Sequence, residues 1–72
     1  MTSSLTYRIT IEPLSAQDGG GFLASAPDLA GCISDGETPH EALSNVQDAI
    51  TQWIDEARAL GRNIPTPSMA AA

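Results

Sequence analysis

His40 and Cys32 are the side chains of this sequence with the chemistry of a general base and a nucleophile. A thiol protease or a nuclease would need them paired. His40 falls in the first turn of a predicted helix, where the positive end of the helix dipole opposes its protonation. It reads as an exposed helix-start residue. Cys32 lies in a short apolar stretch and reads as a small strand residue. A single cysteine also allows no internal disulfide and no cysteine-built zinc site.

The carboxylates Glu12, Asp28, Asp35 and Glu37 offer a second chemistry. Such groups hold divalent ions, and two-metal nucleases use them in clusters. Here they fall on turns and strand ends without a spaced motif. Turns favour Asp for conformational reasons, so solvated turn acids are the simpler reading. Neither a metal nor a cofactor is expected. The run Gly19-Gly20-Gly21 is not a phosphate loop, because it joins two strands and no Lys follows it.

The absence of Lys excludes more. Without it there is no Schiff-base chemistry and no lysine base. Nine acidic residues against three Arg give a net charge of −6. A free-standing nucleic-acid binder needs a basic footprint, which is missing here. An acidic chain suits a basic partner.

The elements that must position these residues follow from local patterns. Residues 7–14, YRITIEPL, alternate, with Tyr7, Ile9 and Ile11 on one face and Arg8, Thr10 and Glu12 on the other. Pro13 ends that strand or places it at a sheet edge. Ser15 to Gly21 reads as a hairpin loop with positive-φ glycines. Residues 22–26, FLASA, form a second strand, Pro27 to Gly31 a turn, and Cys32 to Asp35 a third strand punctuated by Gly36.

A helix opens at Thr38-Pro39-His40-Glu41, a capping box with Thr38 as N-cap and Pro39 at the first helical position. It runs to Leu60, and Gly61 suits its C-terminal cap. Ala42, Leu43, Val46, Ala49, Ile50, Trp53, Ile54, Ala57 and Leu60 fall within an arc of about 140°. The helix of about 22 residues is roughly 33 Å long. Trp53, inside the arc, reads as core first and as a partner anchor second. Glu41, Asp48 and Asp55, spaced by seven, line one flank. A solvated face explains them, and a landing strip for a basic partner is the sharper alternative. Beyond the helix, Ile64 tucks against its end and the Pro65 and Pro67 segment favours an extended path.

The fold class is therefore α+β: a three-stranded antiparallel meander with one long helix packed on one face. One helix cannot cover both faces of a sheet. The second face is either polar or covered by another chain. Seventy-two residues allow one small domain. Eleven residues are Ala, and Leu, Ile, Val and Phe together number 14. That composition borders on disorder, so stability borrowed from a partner or from self-association is expected. The start, MTSSLTYR, has no apolar signal region, and no apolar run approaches a membrane span, so the expected location is the cytoplasm.

In combination, Pro27-Asp28-Leu29-Ala30-Gly31-Cys32, then Gly36-Glu37-Thr38 with Glu41-Ala42-Leu43, then Ile64-Pro65-Thr66-Pro67 form a specific signature. With the alternating first strand and the Gly-rich hairpin, the chain resembles the HicB family of antitoxins and their short HicB-like relatives. The resemblance covers Tyr7 to Pro67. It implies 7–67 as a single HicB-like domain; residues 1–6 are expected as a flexible start and 68–72 as a frayed tail, as chain ends are. It implies a β-β-β-α fold that is partial RNase H-like, or double-stranded-RNA-binding-domain-like, without a working RNase H site. It implies binding to a HicA-like toxin, a small basic protein that cleaves mRNA with a histidine, and assembly as a homodimer or larger oligomer. Longer members carry a DNA-binding domain after this point. None follows Pro67 here, so repression by this chain alone is not expected.

Within that frame, the partner-contact residues expected among the exposed acids and apolar groups of the hairpin and turns are Asp18, Phe22, Asp28, Leu29, Asp35 and Glu37. The alternative is a self-assembling structural or regulatory module without a toxin partner. A residual metal-dependent nuclease is a third reading, set against the missing catalytic constellation.

Overall fold

A computed structural model describes residues 7–66; the expectations for residues 1–6 and 67–72 lie outside the described residues. Strands β1 (Thr10–Pro13), β2 (Phe22–Ser25) and β3 (Ile33–Gly36) form an antiparallel sheet in that order, and helix α1 (Pro39–Ala59) follows. The α+β meander-plus-helix architecture is as expected. β1 and β2 are shorter than their patterns suggested, with four residues each; β3 keeps the expected four residues but is shifted by one, so that Gly36 ends the strand from inside it.

The register pairs Thr10 with Ser25 and Pro13 with Phe22 across β1 and β2, and Phe22 with Gly36 across β2 and β3. Directly paired side chains share a face. Ile11, Ala24 and Ser34 therefore face the helix. Thr10, Ser25 and Ile33 form one row on the open face, and Glu12, Leu23 and Asp35 form the next. On that face the Thr10 and Ser25 hydroxyls share a hydrogen bond of 2.7 Å. The open face is mixed: polar rows with Leu23 half-buried and Ile33 57% exposed.

The helix begins where its cap is built. Thr38 Oγ1 accepts from the Glu41 amide at 3.0 Å, and Pro39 takes the first helical position. The reciprocal half of the capping box differs from expectation. The Glu41 carboxylate accepts from the amide of Glu37, one residue ahead of the cap, at 3.0 Å. At the other end Leu60 is the C-cap and Gly61 has φ +70°. Arg62 N–H donates to the Ala57 carbonyl at 2.8 Å and Gly61 N–H to Arg58 at 3.2 Å, a Schellman closure.

The core has two parts. Near the helix start, Ala24, Ala42 and Val46 pack with Phe22 and Leu43. These small side chains let helix and sheet approach closely. Gly36 takes the approach to its limit, since a Cβ there would sit 2.4 Å from the Ala42 backbone nitrogen. Toward the other end, Tyr7, Ala26, Leu29, Cys32, Ile50 and Ile54 pack with Trp53 and Ile64. The helix lies over β3 and β2 and touches β1 least. Leu60, expected in the apolar arc, is 59% exposed, because the four-residue strands end before the last helical turn.

Candidate functional site

The sheet has two ends, and the expected contact residues divide between them. At the hairpin end, Ser15 caps a single 3-10 turn, Ala16–Asp18, and its Oγ accepts from the Asp18 amide at 3.2 Å. Gly19, Gly20 and Gly21 then all take positive φ, as expected of this loop. Three consecutive left-handed residues are affordable only without Cβ atoms. Gly21 is also packed against the Gly36 carbonyl, where a Cβ would approach to 2.6 Å.

This loop meets the start of α1. Between them lies a polar groove of about 380 Å³. Gly19 to Gly21 form one wall, Asp35, Gly36 and Glu37 the other, and Glu41 and Asn45 close it from the helix. Asn45 Nδ2 donates to the Asp35 carbonyl at 2.7 Å and ties the helix to the β3 edge. Glu37 and Glu41 bring two acidic residues to this groove beside the positive helix N-terminus, while Asp35 borders it from β3 with its side chain on the open face of the sheet. A guanidinium or ammonium head suits such a place better than an anion.

Of the expected contacts, Asp35 and Glu37 line this groove, and Asp18 is exposed in the adjoining turn. Phe22 is half-buried on the helix-facing side, against the Ala24, Ala42 and Val46 cluster. Asp28 and Leu29 lie at the opposite end of the sheet, in the Pro27–Gly31 turn. Asp28 is half-buried. Leu29 departs from the expected exposed position: it is 1% accessible and, with Ile50, among the largest fully buried side chains of the described residues. Its amide donates to Ala26 and its carbonyl accepts from Cys32, both at 3.0 Å, so the turn folds it inward. Asn45 was not among the expected contacts, and Glu41 was offered only as part of the acidic flank with Asp48 and Asp55. Their i, i+4 spacing on one helix face was the available signal.

The groups considered for catalysis do not converge. Cys32 precedes β3, and His40 follows it on the exposed helix start. Cys32 is buried, and desolvation pushes its thiol pKa up, opposite to the needs of a nucleophile. Among the described residues, no three His, Cys, Asp or Glu side chains come close enough to hold a metal. Trp53 is half-buried, and its Nε1–H donates to the Ala30 carbonyl at 3.0 Å. That bond pins the Pro27–Gly31 turn to the helix. Glu41, Asp48 and Asp55 are all exposed along α1. No described helix is long and apolar enough to cross a membrane.

Residues 7–72 match the family described as HicB-like antitoxins of bacterial toxin–antitoxin systems. The chain belongs to the HicB-like antitoxin family. A UPF0150 protein of Synechocystis is 32% identical over 62 residues, covering 86% of this chain and 81% of that protein. A UPF0150 protein of Helicobacter pylori is 35% identical over 49 residues, covering 68% of each chain. Antitoxin HicB 2 of Photorhabdus laumondii is 32% identical over 68 residues, covering 94% of this chain and 46% of that protein. The HicB-like chain thus spans about half the length of that antitoxin. No solved structure matches it. Family membership agrees with the signature in the turn, helix-start and Ile-Pro-x-Pro segments.

Proposed function

We propose that this HicB-like chain is the antitoxin of a toxin–antitoxin pair. It binds and neutralises a small, basic, HicA-like mRNA-cleaving toxin and performs no catalysis itself. The observation that carries this reading is the polar groove bordered by Asp35, Glu37 and Glu41 in a chain with net charge −6. The groove receives basic side chains that the toxin otherwise presents to RNA phosphates. Asp18 and Phe22 border the contact, and Asp28 extends it toward the far turn. Leu29 supports that turn from inside. The β-β-β-α scaffold serves as a partial RNase H-like platform in the cytoplasm, and the chain meets nucleic acid only through a partner.

Titration calorimetry with a HicA-like toxin, its histidine replaced by Ala, tests this. The expected result is tight, salt-sensitive binding. Asp35→Lys combined with Glu37→Lys weakens it by about tenfold or more and flattens its salt dependence. Unchanged affinity and salt dependence would remove the groove from the interface. No binding to the toxin would remove the antitoxin reading.

A second reading is favoured by Leu23 and the 57% exposed Ile33 on the open sheet face. In it the chain is a self-assembling module without a toxin partner. Light scattering after size exclusion then finds a stable dimer or larger species with no affinity for the toxin. A monomer at micromolar concentration would exclude it.

A further inference from the structure

The three-stranded sheet leaves two edges, and they are not equivalent. Two bonds set the alternation of the ladders. Leu14 N–H donates to the Gly21 carbonyl at 2.8 Å, and Ala26 N–H to the Cys32 carbonyl at 3.0 Å. In an antiparallel pair, hydrogen-bonded and non-bonded positions alternate. With the observed register, Leu23 and Ser25 therefore bond to β1, while Phe22 and Ala24 bond to β3. On β1, Ile11 and Pro13 turn their backbone outward, and Pro13 has no amide to offer. On β3, Ile33 and Asp35 turn outward.

The β3 edge is the better template. Ile33 presents both an amide and a carbonyl there, and Asp35 an amide. The Asp35 carbonyl accepts from Asn45 Nδ2 at 2.7 Å. The Ile33 side chain is 57% exposed beside these groups. On the helix side of the same edge lies a depression of about 190 Å³, bordered by Ile33, Ala49, Gln52 and Trp53, with Glu56 among its lining. Among the described residues, no partner meets the outward Ile33 backbone groups or the Asp35 amide, and such an edge with an exposed apolar side chain invites strand addition.

We propose that the free edge of β3 accepts an extended, basic segment of the partner protein as a fourth strand. The proposal rests on the antitoxin reading for the partner's charge and adds the mode of docking. Charge selects the occupant. Asp35 stands on the edge, and Glu56 lines the depression beside it. A second copy of β3 would bring its own Asp35 into this acidic field, and like charges across strands are unfavourable. A basic strand reverses the sign. Its side chains alternate, so one face carries an apolar residue opposite Ile33 and, two positions away, Lys or Arg opposite Asp35. The intervening side chain turns toward the helix layer and the depression. Main-chain bonds supply affinity, and the alternating side chains supply selectivity.

Amide hydrogen exchange by NMR, on the full chain with and without the histidine-to-Ala HicA-like toxin, tests this. The expected result is protection of the Ile33 and Asp35 amides on binding, with the outward Ile11 amide unchanged. Ile33→Pro removes one outward amide and leaves the β2–β3 ladder intact, as Pro13 does on the other edge. It lowers toxin affinity by about tenfold. Ile33→Arg, at an exposed position, serves as a second variant and also weakens binding of the basic segment. Binding without protection at Ile33 and Asp35 overturns edge docking and leaves the antitoxin reading standing. Absence of binding overturns both. Concentration-dependent protection of these amides without toxin shows a second copy on the edge and overturns the basic-segment assignment.

Discussion

The Tyr7 hydroxyl donates a 2.7 Å hydrogen bond to the Pro65 carbonyl, joining positions 58 residues apart. Tyr7 enters just ahead of β1, and Pro65 lies beyond the helix. Ile64 packs on the same core as Tyr7, as the sequence suggested for the tail. This bond makes the exit of the chain from the helix part of the domain. Tyr7→Phe keeps the ring and loses the bond. The expected cost is about 1 kcal/mol. For a domain of this size that lowers the melting temperature by about 4–8 °C. Thermal unfolding followed by circular dichroism checks it.

The same phenol gives a pH signature. Burial raises the Tyr7 pKa above its ordinary value of 10.0, and the Asp28 charge adds to the rise while Arg58 opposes it. The folded state therefore prefers the neutral phenol. Its contribution to stability is complete below pH 10.0 and is lost as pH rises through the raised folded value. Tyr7 is the chain's single tyrosine, so phenolate absorbance reports it alone. The native chain titrates above the urea-unfolded chain. Coincident titrations would contradict the burial of this side chain.

Gly36 and Gly31 separate two uses of glycine. A Cβ on Gly36 would lie 2.4 Å from the Ala42 nitrogen and 2.8 Å from the Glu41 carbonyl carbon. Both are backbone atoms and cannot swing away. Gly31 has φ +74° with open space where a Cβ would go. Gly31→Ala is expected to cost about 1–2 kcal/mol through its backbone conformation. Gly36→Ala costs more, about 3 kcal/mol, by forcing the helix off the sheet. Urea midpoints in the reverse order would mean that helix and β3 are not in close contact.

Cys32 tests the helix–sheet core without any partner. Its thiol is buried and its pKa is raised by desolvation above the ordinary 9.0. A coloured disulfide reagent at mildly alkaline pH is expected to react at least about tenfold more slowly with the folded chain than with the unfolded one. Because the folded pKa is raised, the associated stability is held below pH 9.0 and lost as pH climbs through the folded value. Equal rates would place the thiol at the surface.

Thr38 and Glu41 secure the helix start at the groove. Thr38→Ala removes the acceptor for the Glu41 amide and is expected to cost about 1 kcal/mol. Glu41→Gln keeps an oxygen for the Glu37 amide and should change stability by less than about 0.5 kcal/mol. Chemical denaturation of the two variants distinguishes them. An equal loss for both would mean that the Glu41 charge, and not its bond to Glu37, holds the cap.

Much of this molecule was legible from local patterns. The capped helix, the Gly19–Gly21 loop and the order of strands depend on propensity, spacing and φ preferences that act within a few residues. The signature from Pro27 to Pro67 pointed to the HicB-like family. Contacts between distant residues decided the rest. Leu29 looked like an exposed turn residue, yet the turn folds it into the core against Ile50 and Ile54. Leu60 belonged to the apolar arc, yet the sheet ends short of it. Asp35 comes from β3, Glu37 from the link after it, and Glu41 and Asn45 from α1, and only packing of α1 close over Gly36 gathers them. Periodicity tells which face of an element is apolar. It does not tell how far the opposing layer extends, or which surface residues two layers bring together, because those depend on how closely the side chains between the layers let them approach.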